Sequence, residues 1–335
     1  WAQRSNMMSV LTDCPHRERL GWLEQYHLNG PSIRYAFDLK RHYQKTFGDM
    51  RDAQTEQGLV PNIAPEYIVF EGAFRDSPEW GSALILAAWQ QYLFHGDLEV
   101  LKDNYAAMVA YLDYLGTRAT GNLLRHGLGD WYDLGPKRPG FAQLTPPEIT
   151  ASAIYFEDAM TLSDIARLLG KTADAPRFEH LAAAIQNAFH AQWYDAEKGA
   201  YWPFSQAAQA MALATGLCPP DARDRVLQSL DELLEATDNR LTAGDVGHRY
   251  LLKALSDARC DSRIHSMHGR ADRPGYGFQI RAGATSLTES WDANRHASQN
   301  HFMLGHLMEW LYGRLAGIRP DIAVPGFREI IIDPR

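Results

Sequence analysis

Residues 12 to 25 concentrate the reactive side chains of this chain. Asp13, Glu18 and Glu24 supply carboxylates, Arg17 and Arg19 fixed cations, and His16 and Trp22 stand with them around Pro15 and Gly21. A solvated helix face rarely combines that proline, that glycine and an aromatic. A sugar site needs such a mixture: carboxylates move protons, guanidinium groups grip hydroxyls, and an indole presents a flat face to the C–H surface of a ring. A salt-bridged turn leading into a helix is the plainer alternative, and composition alone does not separate the two.

The order of residues goes further. The run Thr12–Asp13–Cys14–Pro15–His16–Arg17–Glu18–Arg19–Leu20–Gly21–Trp22 is followed by Pro78–Glu79–Trp80–Gly81 and Gly129–Asp130–Trp131. Leu241–Thr242–Ala243–Gly244, Gly283 to Trp291 and Ser298–Gln299–Asn300–His301 complete the series. As an ordered set spanning most of the chain, these blocks resemble the inverting α-L-rhamnosidase family of glycoside hydrolases. The resemblance implies an all-α (α/α)6 barrel and exo-acting release of terminal α-L-rhamnose with inversion. It places Glu18 on the general acid and Glu289 on the water-activating base, the two carboxyl groups that inversion requires across a sugar ring. Asp13 and Arg17 fall on positions that bind the sugar's hydroxyls. Trp22, Trp80 and Trp131, with Asp130 beside the last, fall on the pocket wall, and His301 on a sugar-binding histidine. Where the family commonly carries an acid three residues after the signature tryptophan, this chain has Gln25, and Glu24 is the neighbouring acid that could replace it. The stretch from Glu289 to His301 is also shorter than in many members. Two other readings stay open: a glucoamylase- or trehalase-like barrel glycosidase, and a carbohydrate-binding domain without activity.

Composition narrows the classes further. A net charge of −8 over 335 residues disfavours nucleic acid, which calls for a basic patch. No apolar run approaches the roughly 18–20 residues that span a bilayer. Cys14, Cys218 and Cys260 are odd in number and widely spaced, so they indicate neither a disulfide framework nor zinc. His265 and His268 lack a third ligand at matching spacing, so neither a metal nor a cofactor is expected.

Apolar spacing predicts helices over 82–94, 98–115 (ended by Gly116), 152–169, 176–194, 206–217, 222–234, 247–255 and 300–315, with another over 33–47. Joined by short turns, they read as stacked αα-hairpins. Three long segments, 59–79, 127–150 and 262–288, read as functional loops. The strand-like run Phe327 to Asp333 has no partner after it. Residues 1–320 are therefore expected to form the barrel and 321–335 to begin a truncated C-terminal β-domain; the family resemblance implies a longer protein whose barrel is flanked by β-domains.

Overall fold

Most of the helices that the apolar spacing predicts are present in the computed structural model, which describes residues 1–335. In chain order they are α1 (Ala2–Asn6), α2 (Glu24–Leu28), α3 (Gly30–Ala36), α4 (Lys40–Ala53), α5 (Pro78–Gly81), α6 (Ala83–His95), α7 (Leu98–Arg118) and α8 (Pro147–Leu168). They continue with α9 (Ala175–Trp193), α10 (Gln206–Thr215), α11 (Arg223–Ala236), α12 (Asp245–Asp257), α13 (Asp261–Gly269), α14 (Tyr276–Arg281) and α15 (Leu307–Trp310). One π-helical turn, Leu311–Leu315, extends α15. Strands are confined to two small antiparallel pairs, β1 (Tyr194–Asp195) with β2 (Ala200–Tyr201) and β3 (Ile318–Pro320) with β4 (Ile330–Ile332).

Two kinds of helix account for the architecture. In α10 every residue from Gln206 to Ala214 is buried, and α6, α8 and α12 are nearly as enclosed. In α11, by contrast, Val226, Leu230 and Leu234 form a single stripe at four-residue spacing. A helix with one apolar stripe covers a core, whereas one that is apolar all round must be covered by others. The enclosed helices pack in sequence: α6 on α8, α8 on α10, α10 on α12 and α12 on α15, with α3 touching both α15 and α6 to close the ring. The striped helices lie outside, α7 on α6, α9 on α8, α11 on α10 and α13 on α12. The fold is the all-α toroid of paired helices.

Several boundaries differ from expectation. Gly116 lies inside α7 instead of ending it, whereas Gly96 and Gly216 do close α6 and α10 in the left-handed conformation. Residues 33–47 divide at Phe37, whose extended backbone separates α3 from α4. The segment 262–288 contains α13 and α14, so only part of it is loop. The expected helix over 300–315 begins only at Leu307. Phe302, Met303 and Leu304 are buried without being helical, because residues 298–303 are used at the site described below. At the other end, β4 pairs with the preceding β3 across residue 320, and Arg335 hydrogen-bonds Ser256 on the barrel.

Candidate active site

The segments that precede the ring helices converge on one cavity. Ahead of and at the start of α2 come Asp13, Glu18, Trp22 and Glu24; ahead of α6 come Phe74 and Trp80; ahead of α8, Leu128 and Trp131; and ahead of α15, Glu289, His301 and Met303. The cavity thus opens at the amino-terminal ends of the inner helices, where unpaired N–H groups favour negative charge.

Glu289 is buried and held by three donors. Arg17 Nη2 donates to its Oε2 at 2.8 Å, the Ser298 backbone N–H to the same oxygen at 2.6 Å, and Tyr132 Oη to Oε1 at 3.0 Å. The Glu289 N–H in turn donates to the Ser298 carbonyl at 2.9 Å, so the two segments lock together. Glu18 is exposed, and its Oε2 accepts from the Trp22 indole at 3.2 Å. Arg17 Nη2 lies 3.7 Å from Glu18 Oε1 and 2.8 Å from Glu289 Oε2, so these two oxygens are separated by no more than about 6.5 Å, the two contacts laid end to end.

Below this pair the groups are more deeply buried. Asp13 accepts from the Cys14 thiol at 3.3 Å, and burial, with the Glu18 charge adding to it, raises its carboxyl to about 7. His301 Nδ1 accepts from the Met303 N–H at 3.3 Å, which puts the ring proton on Nε2, 3.9 Å from Asp13 Oδ2. Burial lowers its pKa to about 4, so the ring is neutral near pH 7. Glu24 is fully enclosed; burial, then the nearby Asp245 charge, raises its pKa well above the usual range. Its Oε1 accepts from Gln25. Asp13 Oδ1, Glu24 Oε2 and Trp80 Nε1 are buried polar atoms with no partner within the protein. Two carboxyl groups, which accept when ionised and donate when protonated, and one indole N–H beside an apolar wall suit a polyhydroxylated ring, since each hydroxyl both donates and accepts.

The chain matches the family model for the bacterial α-L-rhamnosidase six-hairpin glycosidase domain over residues 1–315. It belongs to that family. An α-L-rhamnosidase of Streptomyces avermitilis is 33% identical over all of this chain, which spans 32% of that protein. One from an Alteromonas species is 27% identical, again over the whole chain and 38% of the relative. The crystal structure of the Streptomyces avermitilis α-L-rhamnosidase complexed with L-rhamnose superposes with a TM-score of 0.90 at 31% identity, covering all of this chain and 32% of that one. The chain thus spans about a third of the length of the curated relatives it matches.

In this rhamnosidase-family domain the cavity brings together Asp13, Glu18, Trp22, Glu24, Trp80, Trp131, Glu289 and His301, and Arg17 joins them through Glu289. Asp130 is the correction. Its oxygens accept from the Gly244 N–H at 2.9 Å and the Gly247 N–H at 2.7 Å, at the start of α12, and it does not line the cavity. The carboxylate is consumed by a helix end that would otherwise bury two unpaired donors. Tyr132, Phe74, Leu128 and Met303 are site residues that the sequence reading missed. Tyr132 directly follows a singled-out block, but only the fold shows that it reaches Glu289. Asp13, Cys14 and Glu18 also place ligand-type atoms within 4.8 Å of one another. Burial raises the Cys14 thiol, and the protonated thiol donates a hydrogen bond to Asp13.

Proposed function

We propose that this chain is the catalytic domain of an exo-acting α-L-rhamnosidase, which hydrolyses terminal non-reducing α-L-rhamnose from glycosides with inversion. The observation that carries the reading is the pairing of Glu18 and Glu289 through Arg17 beside a cavity walled by Trp22, Phe74, Trp80 and Trp131. Glu18, at the exposed edge, gives its proton to the departing oxygen as the glycosidic bond breaks. Glu289 takes a proton from the water that attacks the opposite face of the anomeric carbon. Proton and charge balance is then complete without a covalent intermediate. The donors on Glu289 fix its orientation, and Arg17 bridges the ionised base and the acid, whose oxygens lie at or inside the short end of the roughly 6.5–9.5 Å used by inverting pairs. Asp13, Glu24 and the His301 Nε2–H meet the sugar's hydroxyls, while the indoles cover its methyl group and C–H faces. In the complete protein, residues 1–320 would form the barrel and 321–335 would lead into a β-domain, with flanking β-domains as its partners.

Incubation with 4-nitrophenyl α-L-rhamnoside should release L-rhamnose, and a panel of other nitrophenyl glycosides should not react comparably. Proton NMR should show the β-anomer first. First-formed α-L-rhamnose would rule out inversion, and cleavage of glucosides in preference would favour a glucoamylase-like enzyme.

A further inference from the structure

A row of buried imidazoles runs through the barrel behind the cavity. His248 on α12 stands in the middle, with its Nδ1 2.9 Å from His306 Nδ1 and its Nε2 3.1 Å from His268 Nε2. At one end His306 Nε2 lies 3.4 Å from Asp245 Oδ1, and neither of these atoms, nor Asp245 Oδ2, has another polar partner within the protein. At the other end His268 Nδ1 has no partner. Trp291 packs 4.8 Å from His248 and Tyr276 4.8 Å from His268, but the indole N–H donates to the Ala243 carbonyl and the phenol to the Leu304 carbonyl. The imidazoles are left with one another and with Asp245.

Proton counting gives this row a direction. Burial lowers all three histidines, so each is neutral near pH 7 and carries one ring N–H. If His306 turns its N–H to Asp245, its Nδ1 accepts from His248 Nδ1–H, and His248 Nε2 in turn accepts from His268 Nε2–H. Every N–H is then used, and the one atom left over is a lone pair on His268. In the opposite order Asp245 must carry a proton itself to reach His306, and a buried N–H on His268 goes without an acceptor. A stranded donor is the rarer of the two defects. The row therefore donates inward and ends on an ionised Asp245, at the first residue of α12, where the helix dipole favours negative charge.

Glu24, at the start of α2, faces this charge and lines the cavity; its Oε1 accepts from Gln25 and its Oε2 has no partner. Burial alone raises Asp245, whereas the Asp245 charge adds to burial at both Glu24 and Asp130. Asp13 also faces Glu24, and His27 and Arg249 face His306, with Arg249 neutralised by Glu309 through bonds of 2.9 and 3.0 Å. Two facing carboxyl groups in a buried place hold one proton between them. We infer that Asp245, His306, His248 and His268 are positioning residues for Glu24: they keep the negative charge of the pair on Asp245, so that Glu24 retains its proton and meets the sugar as a hydrogen-bond donor. The sugar contact rests on the proposed rhamnosidase reading. An ionised Glu24 could only accept from a hydroxyl, whereas the protonated group donates to a hydroxyl oxygen without adding another negative charge to a cavity that already holds Glu18 and Glu289.

¹⁵N NMR of the histidine-labelled protein near pH 7, with signals assigned by replacing one histidine at a time, reads the tautomers directly. The expected protons are on Nε2 of His306, Nδ1 of His248 and Nε2 of His268; a proton on His306 Nδ1 overturns the inference. ¹³C NMR of labelled glutamate carboxyls, with Glu24 assigned from Glu24→Gln, should show Glu24 protonated at pH 7. Asp245→Asn removes the facing charge, so Glu24 should there titrate at least about one pH unit lower than in the parent. A Glu24 ionised at pH 7, or one whose titration Asp245→Asn leaves unchanged, also overturns the inference. Should Asp245→Asn not fold, the tautomers and the Glu24 signal of the parent still decide. Saturating L-rhamnose should shift the Glu24 carboxyl signal and leave the group protonated; rhamnose that binds without moving that signal overturns the donor role. If the parent binds no rhamnose, the proposed function fails, and the tautomers still decide where the charge sits.

Discussion

Glu289 takes its orientation from side chains and backbone of three separate segments: Arg17, Tyr132 and Ser298. A base that must aim at one water position depends on each of them, so their removal should slow turnover without weakening substrate binding. Tyr132→Phe deletes a donor to an ionised carboxylate, of the kind worth about 1.5–3 kcal/mol, and kcat should fall about ten- to a hundredfold with KM little changed. Arg17→Met should cost more, because it deletes the cation that contacts both Glu18 and Glu289. The carboxylates themselves should differ in character. Glu289→Gln should slow every rhamnoside alike, by about 10²–10⁴-fold, while Glu18→Gln should spare substrates whose leaving group needs no proton, such as nitrophenyl rhamnosides. Steady-state kinetics over a series of aryl leaving groups separates the two; near-native rates in both variants would refute the assignment.

Helix α12 shows how an element decides what a residue does. Its start packs so close to Asp130 that a Cβ on Gly247 would lie 2.7 Å from Asp130 Oδ2 and 2.3 Å from the Ala207 methyl. Glycine is required there for contact, and the carboxylate is committed to the Gly244 and Gly247 N–H groups. Asp130→Ala would strand two buried donors, each costing about 1–3 kcal/mol, and should lower unfolding stability by about 2–6 kcal/mol. A sugar ligand would instead show its loss in KM, so urea denaturation alongside kinetics distinguishes cap from ligand: unchanged stability with a large rise in KM would refute the cap. A different override operates at 298–306. Ser298 and His301 must reach Glu289 and Asp13, and their backbone bonds to residues 287–289 hold the chain out of the helix that its apolar spacing suggests.

The ring as a whole buries acids and imidazoles together, with opposite consequences for stability against pH. His306 Nδ1 meets His248 Nδ1 at 2.9 Å, and His248 Nε2 meets His268 Nε2 at 3.1 Å, all three fully buried in the barrel. Burial lowers His268 and His306 to about 3, below the unfolded value of 6.5. The unfolded chain therefore binds more protons between those limits, and this contribution to stability, complete above pH 6.5, is lost as pH falls towards 3. Glu79 is the reverse case. Burial raises it to about 7 from 4.5, so its contribution is complete below pH 4.5 and is lost as pH rises through 7. Denaturation of Glu79→Gln and the parent in parallel should show the difference moving in the variant's favour between pH 5 and 8. A constant difference would mean that Glu79 is not held protonated.

What the sequence determined by itself was local or ordered along the chain. Stripes such as Val226, Leu230 and Leu234 and stops such as Gly96 follow from 3.6-residue periodicity and from the cost of left-handed backbone for other residues, and both are written in short windows. The blocks around Glu18 and Glu289 were legible because their order along the chain carries the family resemblance. Tertiary structure alone decided which of these side chains meet. Arg17 and Glu289 are 272 positions apart and Asp130 and Gly247 117 apart, yet both pairs are in hydrogen-bond contact. Asp130 and Glu24 look alike in sequence, each an acid next to a block that carries a tryptophan. One faces the amino-terminal turn of α12 and the other the cavity, because closing the ring brings a different neighbour to each. A carboxylate's role depends on the donors within about 3 Å of it, and in a closed ring those donors come from helices far away in the chain.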